Sequence, residues 1–272
     1  MMANSTSLPT YVSTLRRNGF VLTQLIKRDF TLRYRGSVGG ILWSVISPLL
    51  LLAVYTFMFG VVFQSRWGNL PPEKGTFSML LYAGMIVHGI FAEVVARAPT
   101  LILNQPGYVK KIIFPLEILP LVAVANALIG AGIGFSLLIV FNLLLGGGLH
   151  PTLLLLPLVI LPYAVLLTGL VLFLSALGVF IRDLTHAIGF VIAISIFITP
   201  VFYPLTAVPE PYRPLLYLNP LTFVVEQGRA LVLFGDLPDW GGLALYAAIS
   251  ILVLWAGLSW FQRVRRGFAD VM

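Results

Sequence analysis

Cysteine is absent from the 272 residues, which excludes a disulfide framework and any thiolate metal site. Charge is scarce, since 10% of residues are Asp, Glu, Lys or Arg while 59% are hydrophobic. A soluble domain is roughly a quarter charged, so an all-α polytopic membrane protein is expected. No Gly-x-x-x-x-Gly-Lys-Ser/Thr phosphate loop occurs, so this chain has no nucleotide site of that kind, and any ATP dependence has to come from a second subunit. His88, His150 and His186 are widely separated and no His-Glu-x-x-His spacing exists, which disfavours a zinc hydrolase. Acids are too few in the apolar runs for an ion-coupled carrier and do not cluster as a membrane-embedded glycan enzyme would need.

What is present is long apolar sequence divided by short polar breaks. Six spans of about twenty residues can be drawn, at 41–63, 77–103, 116–145, 152–181, 186–203 and 242–262. The net charge of +7 raises nucleic acid as a partner, but the basic residues border the spans instead of clustering beside exposed aromatics, so none is expected. With the N-terminus inside, thirteen Lys and Arg fall on the cytoplasmic side and only Arg66, Lys74, Arg213 and Arg229 on the other. The positive-inside rule therefore predicts cytoplasmic termini. The first nineteen residues are polar and mixed, with no short apolar core before Phe20, and no cleaved signal peptide is expected.

Just before the first span, residues 20–35 read as a basic amphipathic helix lying in a membrane interface. Val21, Leu22, Leu25, Ile26, Phe30 and Leu32 share one half of its wheel, and Gln24, Lys27, Arg28, Thr31 and Arg35 the other. Asp29 and Arg33 fall within the apolar half; four apart, they either pair with each other or face another protein. Glu93 and Arg97 have the same spacing in the second span and read as a structural pair near its mouth or, less simply, as part of a proton relay.

The inner loop 104–115 breaks at Pro106-Gly107, carries Tyr108, Lys110 and Lys111, and leads to Glu117 in the first turn of the next helix. It suits docking on a soluble partner or a lipid-hugging connector. Gly130-x-x-x-Gly134 permits a close helix contact. Residues 204–241 hold six prolines. Within them Asn219-Pro220 reads as an N-cap followed by proline at the first helical position. The helix of about fourteen residues that follows is too short to span and carries Glu226 and Arg229 on adjacent positions of one face, so it reads as re-entrant or interfacial. Tyr55, Phe59 and Phe63 recur every four residues in the first span, and Phe190, Phe197, Phe202 and Tyr203 lie in or near the fifth. Such rings can stack on sugar faces or pack against lipid.

The runs LIKRDFTLRYRGSVGGILWSVISPLLLLAVYTFMFGVVF, YVKKIIFPLEILP, LGVFIRDLTH and ITPVFYP, followed by YLNPLTFVVEQGRALVLFG, together resemble the membrane subunit of type-2 ABC exporters of cell-surface polysaccharide. The likeness extends from about Leu22 to Arg266. It implies a homodimer of six-span subunits in the bacterial inner membrane, each paired with a cytoplasmic ATPase subunit that holds ATP and magnesium, and exporting a lipid-linked polysaccharide of the O-antigen type. By the same resemblance Leu22 to Tyr34 is the interface helix, Gln105 to Phe114 the coupling loop, and Leu215 to Phe234 the outer gate. Candidate channel-lining residues are Tyr55, Phe59, Phe63, Phe197 and Tyr203; candidate coupling residues are Asp29, Arg33, Tyr108, Lys110 and Lys111; the gate candidates are Asn219, Pro220, Glu226 and Arg229. Permeases for teichoic acid, capsule, drugs or small lipids share six spans and remain open at this point.

Overall fold

The computed structural model describes residues 7–35, 39–63, 67, 76–109 and 114–271, and every regular element among them is helical. In a bilayer each backbone N–H and C=O has to be satisfied within its own segment, which leaves the helix as the solution for a chain this apolar. Helix α1 (Leu8–Arg17) turns at Asn18 into α2 (Gly19–Tyr34). A single turn at Gly40–Leu42 opens the first long helix, which comprises α3 (Trp43–Tyr55) and the wider π-helical turns of Thr56–Val62. Then come α4 (Thr76–Arg97), the one-turn α5 (Pro106–Val109), α6 (Leu119–Leu144) and α7 (Leu156–Phe180). The rest of the chain contributes α8 (Leu184–Ile198), α9 (Arg213–Tyr217), α10 (Pro220–Arg229), α11 (Trp240–Val264) and the terminal turn α12 (Phe268–Val271).

Among the described residues, five helical segments are long and apolar enough to cross a membrane: Gly40–Val62, Phe77–Thr100, Leu116–Leu144, Pro151–Phe180 and Trp240–Gly267. They match five of the expected spans to within a few residues. The remaining one, expected at 186–203, is the 15-residue α8, whose length of about 22 Å at 1.5 Å per residue falls short of a bilayer core. Its start follows α7 across a three-residue turn, and the chain beyond it reaches Val201, whose carbonyl meets α10.

Two ends can be distinguished. At one, α1, α2, the segment after α4 and the C-terminal helix meet around a cluster of Tyr11, Leu25, Ile118, Leu258, Phe261 and Phe268; we call it the terminal end. At the opposite end, α10 packs between α4 and α7, burying Leu221, Val224 and Val225 against the main core. Helix α1 was not apparent from the polar composition of the first nineteen residues. Tyr11 anchors it, 5% exposed, donating to the Glu117 carbonyl at 3.3 Å; burial, followed by the Glu117 charge, pushes its hydroxyl pKa up and keeps it a neutral donor.

The tightest packing joins α7 and α11. A Cβ at Gly169 would lie 2.6 Å from the Leu254 backbone, and one at Gly257 would collide with the Gly169 carbonyl oxygen. Without a hydrophobic drive between helices in lipid, such close approach supplies the dispersion contacts that hold them. The anticipated Gly130/Gly134 pair contributes by half: a Cβ at Gly134 would come within 3.1 Å of Ile86 Cγ1, while Gly130 has nothing within 4 Å. Gly257→Leu is therefore expected to lower thermal stability in detergent by about 1–3 kcal/mol or more, whereas Gly130→Ala should leave the melting temperature within a degree or two of the parent. Equal melting of the two variants would contradict this packing.

Candidate functional site

The terminal end carries the densest set of ion pairs, and it corrects an expectation. Asp29 and Arg33 do not pair along α2, nor do Glu93 and Arg97 along α4. Instead Arg33 bridges to Glu93, and Arg97 Nη2 donates to both carboxylate oxygens of Asp29 at 2.9 and 3.0 Å. One turn forward on α2 corresponds to one turn back on α4, so two i,i+4 pairs exchange partners across the helix contact. The physical reason is that an exposed pair on a single helix contributes a few tenths of a kcal/mol, while the cross-helix arrangement satisfies the charges and joins two elements. Asn126 of α6 adds a third element by donating to Asp29 Oδ2 at 3.0 Å. Asp29 and Arg33 thus face the last turns of α4 and, through Asn126, the N-terminal half of α6.

Of the loop 104–115, Lys110 and Lys111 lie outside the described residues. Tyr108 stacks on Phe114 with ring centroids 4.2 Å apart and an interplanar angle of 11°, and its hydroxyl accepts from Arg28 Nη1 at 2.9 Å. Phe114 is held in turn by Arg265, which donates to its carbonyl at 3.0 Å and to Glu117 Oε2 at 2.8 Å. The loop is thereby gripped by α2 on one side and by the C-terminal helix on the other. A polar cavity of about 280 Å3 lies beside it, lined by Arg28, Asp29, Arg97, Asn104 and Gln105 among others.

The aromatic candidates do assemble, with additions. Phe59 is the hub: its ring stacks on Phe77 at 5.3 Å and on Phe202 at 6.2 Å, and contacts Tyr55 and Phe63 at 6.1 and 5.7 Å. Phe202 extends the row to Phe197 at 6.1 Å. Because π-helical turns are wider, residues four apart lie more nearly above one another there, which helps align Phe59 and Phe63. Phe63 and Phe197 are 61% and 69% exposed, so the row is a ledge with an open side. Tyr203 is not among its stacked rings; its hydroxyl donates to the Phe197 carbonyl at 2.9 Å and secures the bend after α8. Phe77 was missed because it lies at the start of a different span, four helical turns of sequence away from any aromatic periodicity.

Beyond the ledge lies the most fully enclosed cation among the described residues. Arg229, 2% exposed, donates from Nε to the Leu80 carbonyl at 2.8 Å, from Nη1 to Pro200 at 2.7 Å and Glu226 Oε1 at 2.9 Å, and from Nη2 to Val201 at 2.9 Å. Its guanidinium also sits 4.4 Å from the ring centroid of Trp67, a cation–π contact. Gly84 makes room, since a Cβ there would lie 2.7 Å from Nη2. Burial pushes the Arg229 pKa down to about 10, with Glu226 opposing, so it stays cationic at neutral pH. The Glu226–Arg229 pairing was legible as a spacing of three; the carbonyls and Trp67 were not. Asn219 accepts from the Leu221 amide at 3.0 Å, as the cap reading required, and its amide donates to Thr199 Oγ1 at 2.9 Å, tying α10 to the end of α8. Pro220 opens α10 as expected.

The structure is a bundle of apolar helices with a basic helix clamped to one end and short helices inserted at the other, and residues 21–233 match the family model of the ABC-2 type transporter. The chain belongs to that family. Among its relatives, the O-antigen export system permease protein RfbA of Myxococcus xanthus is 31% identical over 252 residues, covering 92% of this chain and 94% of the relative. A Klebsiella pneumoniae protein of the same name is 26% identical over 257 residues, with 93% and 95% covered. The polysialic acid transport protein KpsM of Escherichia coli is 22% identical over 255 residues, with 91% and 96% covered.

Removing the Arg229 guanidinium leaves three buried carbonyls and Glu226 without their donor. Arg229→Met is expected to cost about 3–5 kcal/mol, read as a large fall in melting temperature. Arg229→Lys should recover little of it, because one ammonium lacks the fork that reaches three chain segments. Full recovery by lysine would refute this reading.

Proposed function

We propose that this chain is the permease subunit of an ABC exporter that moves a lipid-linked polysaccharide of the O-antigen type across the bacterial inner membrane. The observation that carries this reading is the end-to-end similarity to the two O-antigen export permeases; the more distant relative is named for transport of another polysaccharide, so glycan cargo is common to all three. In this reading α8 and the residues after it complete a sixth crossing, the terminal end is cytoplasmic, and two copies of the chain work with two cytoplasmic ATPase subunits that bind ATP and magnesium.

Geometry supports a division of labour. The loop held between Arg28 and Arg265 is the contact for the ATPase, through Tyr108 and, next in its sequence, Lys110 and Lys111. Force applied there passes into α2, and from α2 through the Arg33–Glu93 and Asp29–Arg97 pairs into α4. The ledge of Tyr55, Phe59, Phe63, Phe197 and Phe202 is the sliding surface, because stacked aromatic faces hold sugar rings without a fixed register. Tyr203 shapes its edge, and Asn219, Pro220, Glu226 and Arg229 hold the outer gate.

Two measurements test this. In the complex purified with its ATPase subunit, hydrolysis should be stimulated by the lipid-linked glycan and not by hydrophobic drugs; stimulation by small amphiphiles alone would favour a drug or lipid permease. Arg33→Ala should abolish surface glycan while leaving membrane insertion intact. The reversed pair Arg33→Glu with Glu93→Arg should regain part of export, and normal export by Arg33→Ala would remove the ion pairs from the coupling path.

A further inference from the structure

The basic face of α2 presents a feature that the export reading leaves unused. Between α2 and the beginning of the first long helix is an open cleft of about 580 Å3, whose lining includes Gln24, Lys27, Arg28, Leu32, Arg35 and Ile41. Among the described residues, three cations and no acid line it. Among the described residues, the ion pairs join Asp29, Glu93, Glu117, Glu210 and Glu226 to other arginines, and none reaches Lys27, Arg28 or Arg35. Arg28 is engaged on Tyr108 through Nη1. The acids and bases of α2 are therefore sorted: Asp29 and Arg33 are neutralised against α4, while three positive charges are left around one opening. Like charges so placed repel unless an anion joins them.

The apolar rim of the cleft identifies the rest of the ligand. Leu32 and Ile41, both in its lining, are 50% and 59% exposed, and Ile41 already belongs to a segment apolar enough to cross a membrane. A cationic opening that grades into a membrane-facing apolar surface fits an amphiphile with an anionic head and an apolar tail. We propose that the cleft is a headgroup site for an anionic phosphate-bearing lipid of the surrounding bilayer. Lys27, Arg28 and Arg35 hold the phosphate oxygens, Gln24 is available to donate to the same head, and the acyl chains lie along Leu32 and Ile41. The bilayer's own lipid is the occupant because the cleft opens on the exposed face of α2 beside the membrane-crossing segment, a helix length away from the aromatic ledge. This inference depends on membrane embedding and not on which cargo is exported.

The test uses the full-length chain in nanodiscs of phosphatidylcholine titrated with phosphatidylglycerol, read by native mass spectrometry and by melting temperature. Phosphatidylglycerol is expected to remain bound and to raise the melting temperature. In Lys27→Gln/Arg35→Gln its apparent affinity should fall roughly tenfold or more, while Lys27→Arg/Arg35→Lys and the distant pair Arg16→Gln/Arg17→Gln keep it; circular dichroism and gel filtration establish that each variant is folded. Unchanged retention in the glutamine variant overturns the site. Displacement by a short polyprenyl diphosphate at far lower concentration overturns the bilayer-lipid assignment in favour of the cargo's own head. Equal binding of both phospholipids, with loss of ATPase-subunit association in the glutamine variant, overturns it in favour of a protein contact.

Discussion

A charged side chain carried into an apolar helical bundle has to find its partner inside the protein, since lipid offers none and the cost of leaving it alone is several kcal/mol. In this chain that constraint does more than neutralise charge, because each solution ties separate segments together. Arg229 collects carbonyls from α4 and from the bend after α8. Asp29 gathers α2, α4 and α6. Arg265 closes the C-terminal helix onto the loop that precedes α6. With charges this few, three of the five ion pairs among the described residues are also joints between elements.

The joints lie at the two ends, and between them the bundle is apolar and closely packed. Gly169 and Gly257 bring α7 and α11 into backbone contact, making a stiff pair on which α10 rests. The first long helix is different in kind. It is 6% buried over its apolar window, against 61% for the helix that follows, and it meets the body through Leu52, which joins the main core, and through the rings around Phe59. A helix so loosely covered, held by a few apolar and ring contacts, is suited to shift relative to a closely packed core.

The two faces of α2 divide its work. One face is fastened to α4 and α6 by complementary charge; the other gathers Lys27, Arg28 and Arg35 around an opening with an apolar rim. If that opening holds lipid phosphate, the bilayer itself sets the depth and angle of α2.

Much of this protein could be read without coordinates. Hydropathy and the scarcity of charge determine that it is helical and membrane-embedded, with the boundaries of five of the six expected spans correct to a few residues, because in lipid the length and polarity of a segment are local properties. The Asn219-Pro220 start of α10 was equally legible, since a cap is satisfied by residues two or three positions away. Four-residue spacing also brought out Tyr55, Phe59 and Phe63 as one face. What only the tertiary structure decided is which groups meet across elements. Spacing favoured Asp29 with Arg33 and Glu93 with Arg97, and the fold exchanged those partners; Phe77, Trp67 and the carbonyls around Arg229 have no periodic signal at all. An i,i+4 pair and a cross-helix pair differ only in where the neighbouring helix lies, and that position is set by packing distributed over the whole bundle.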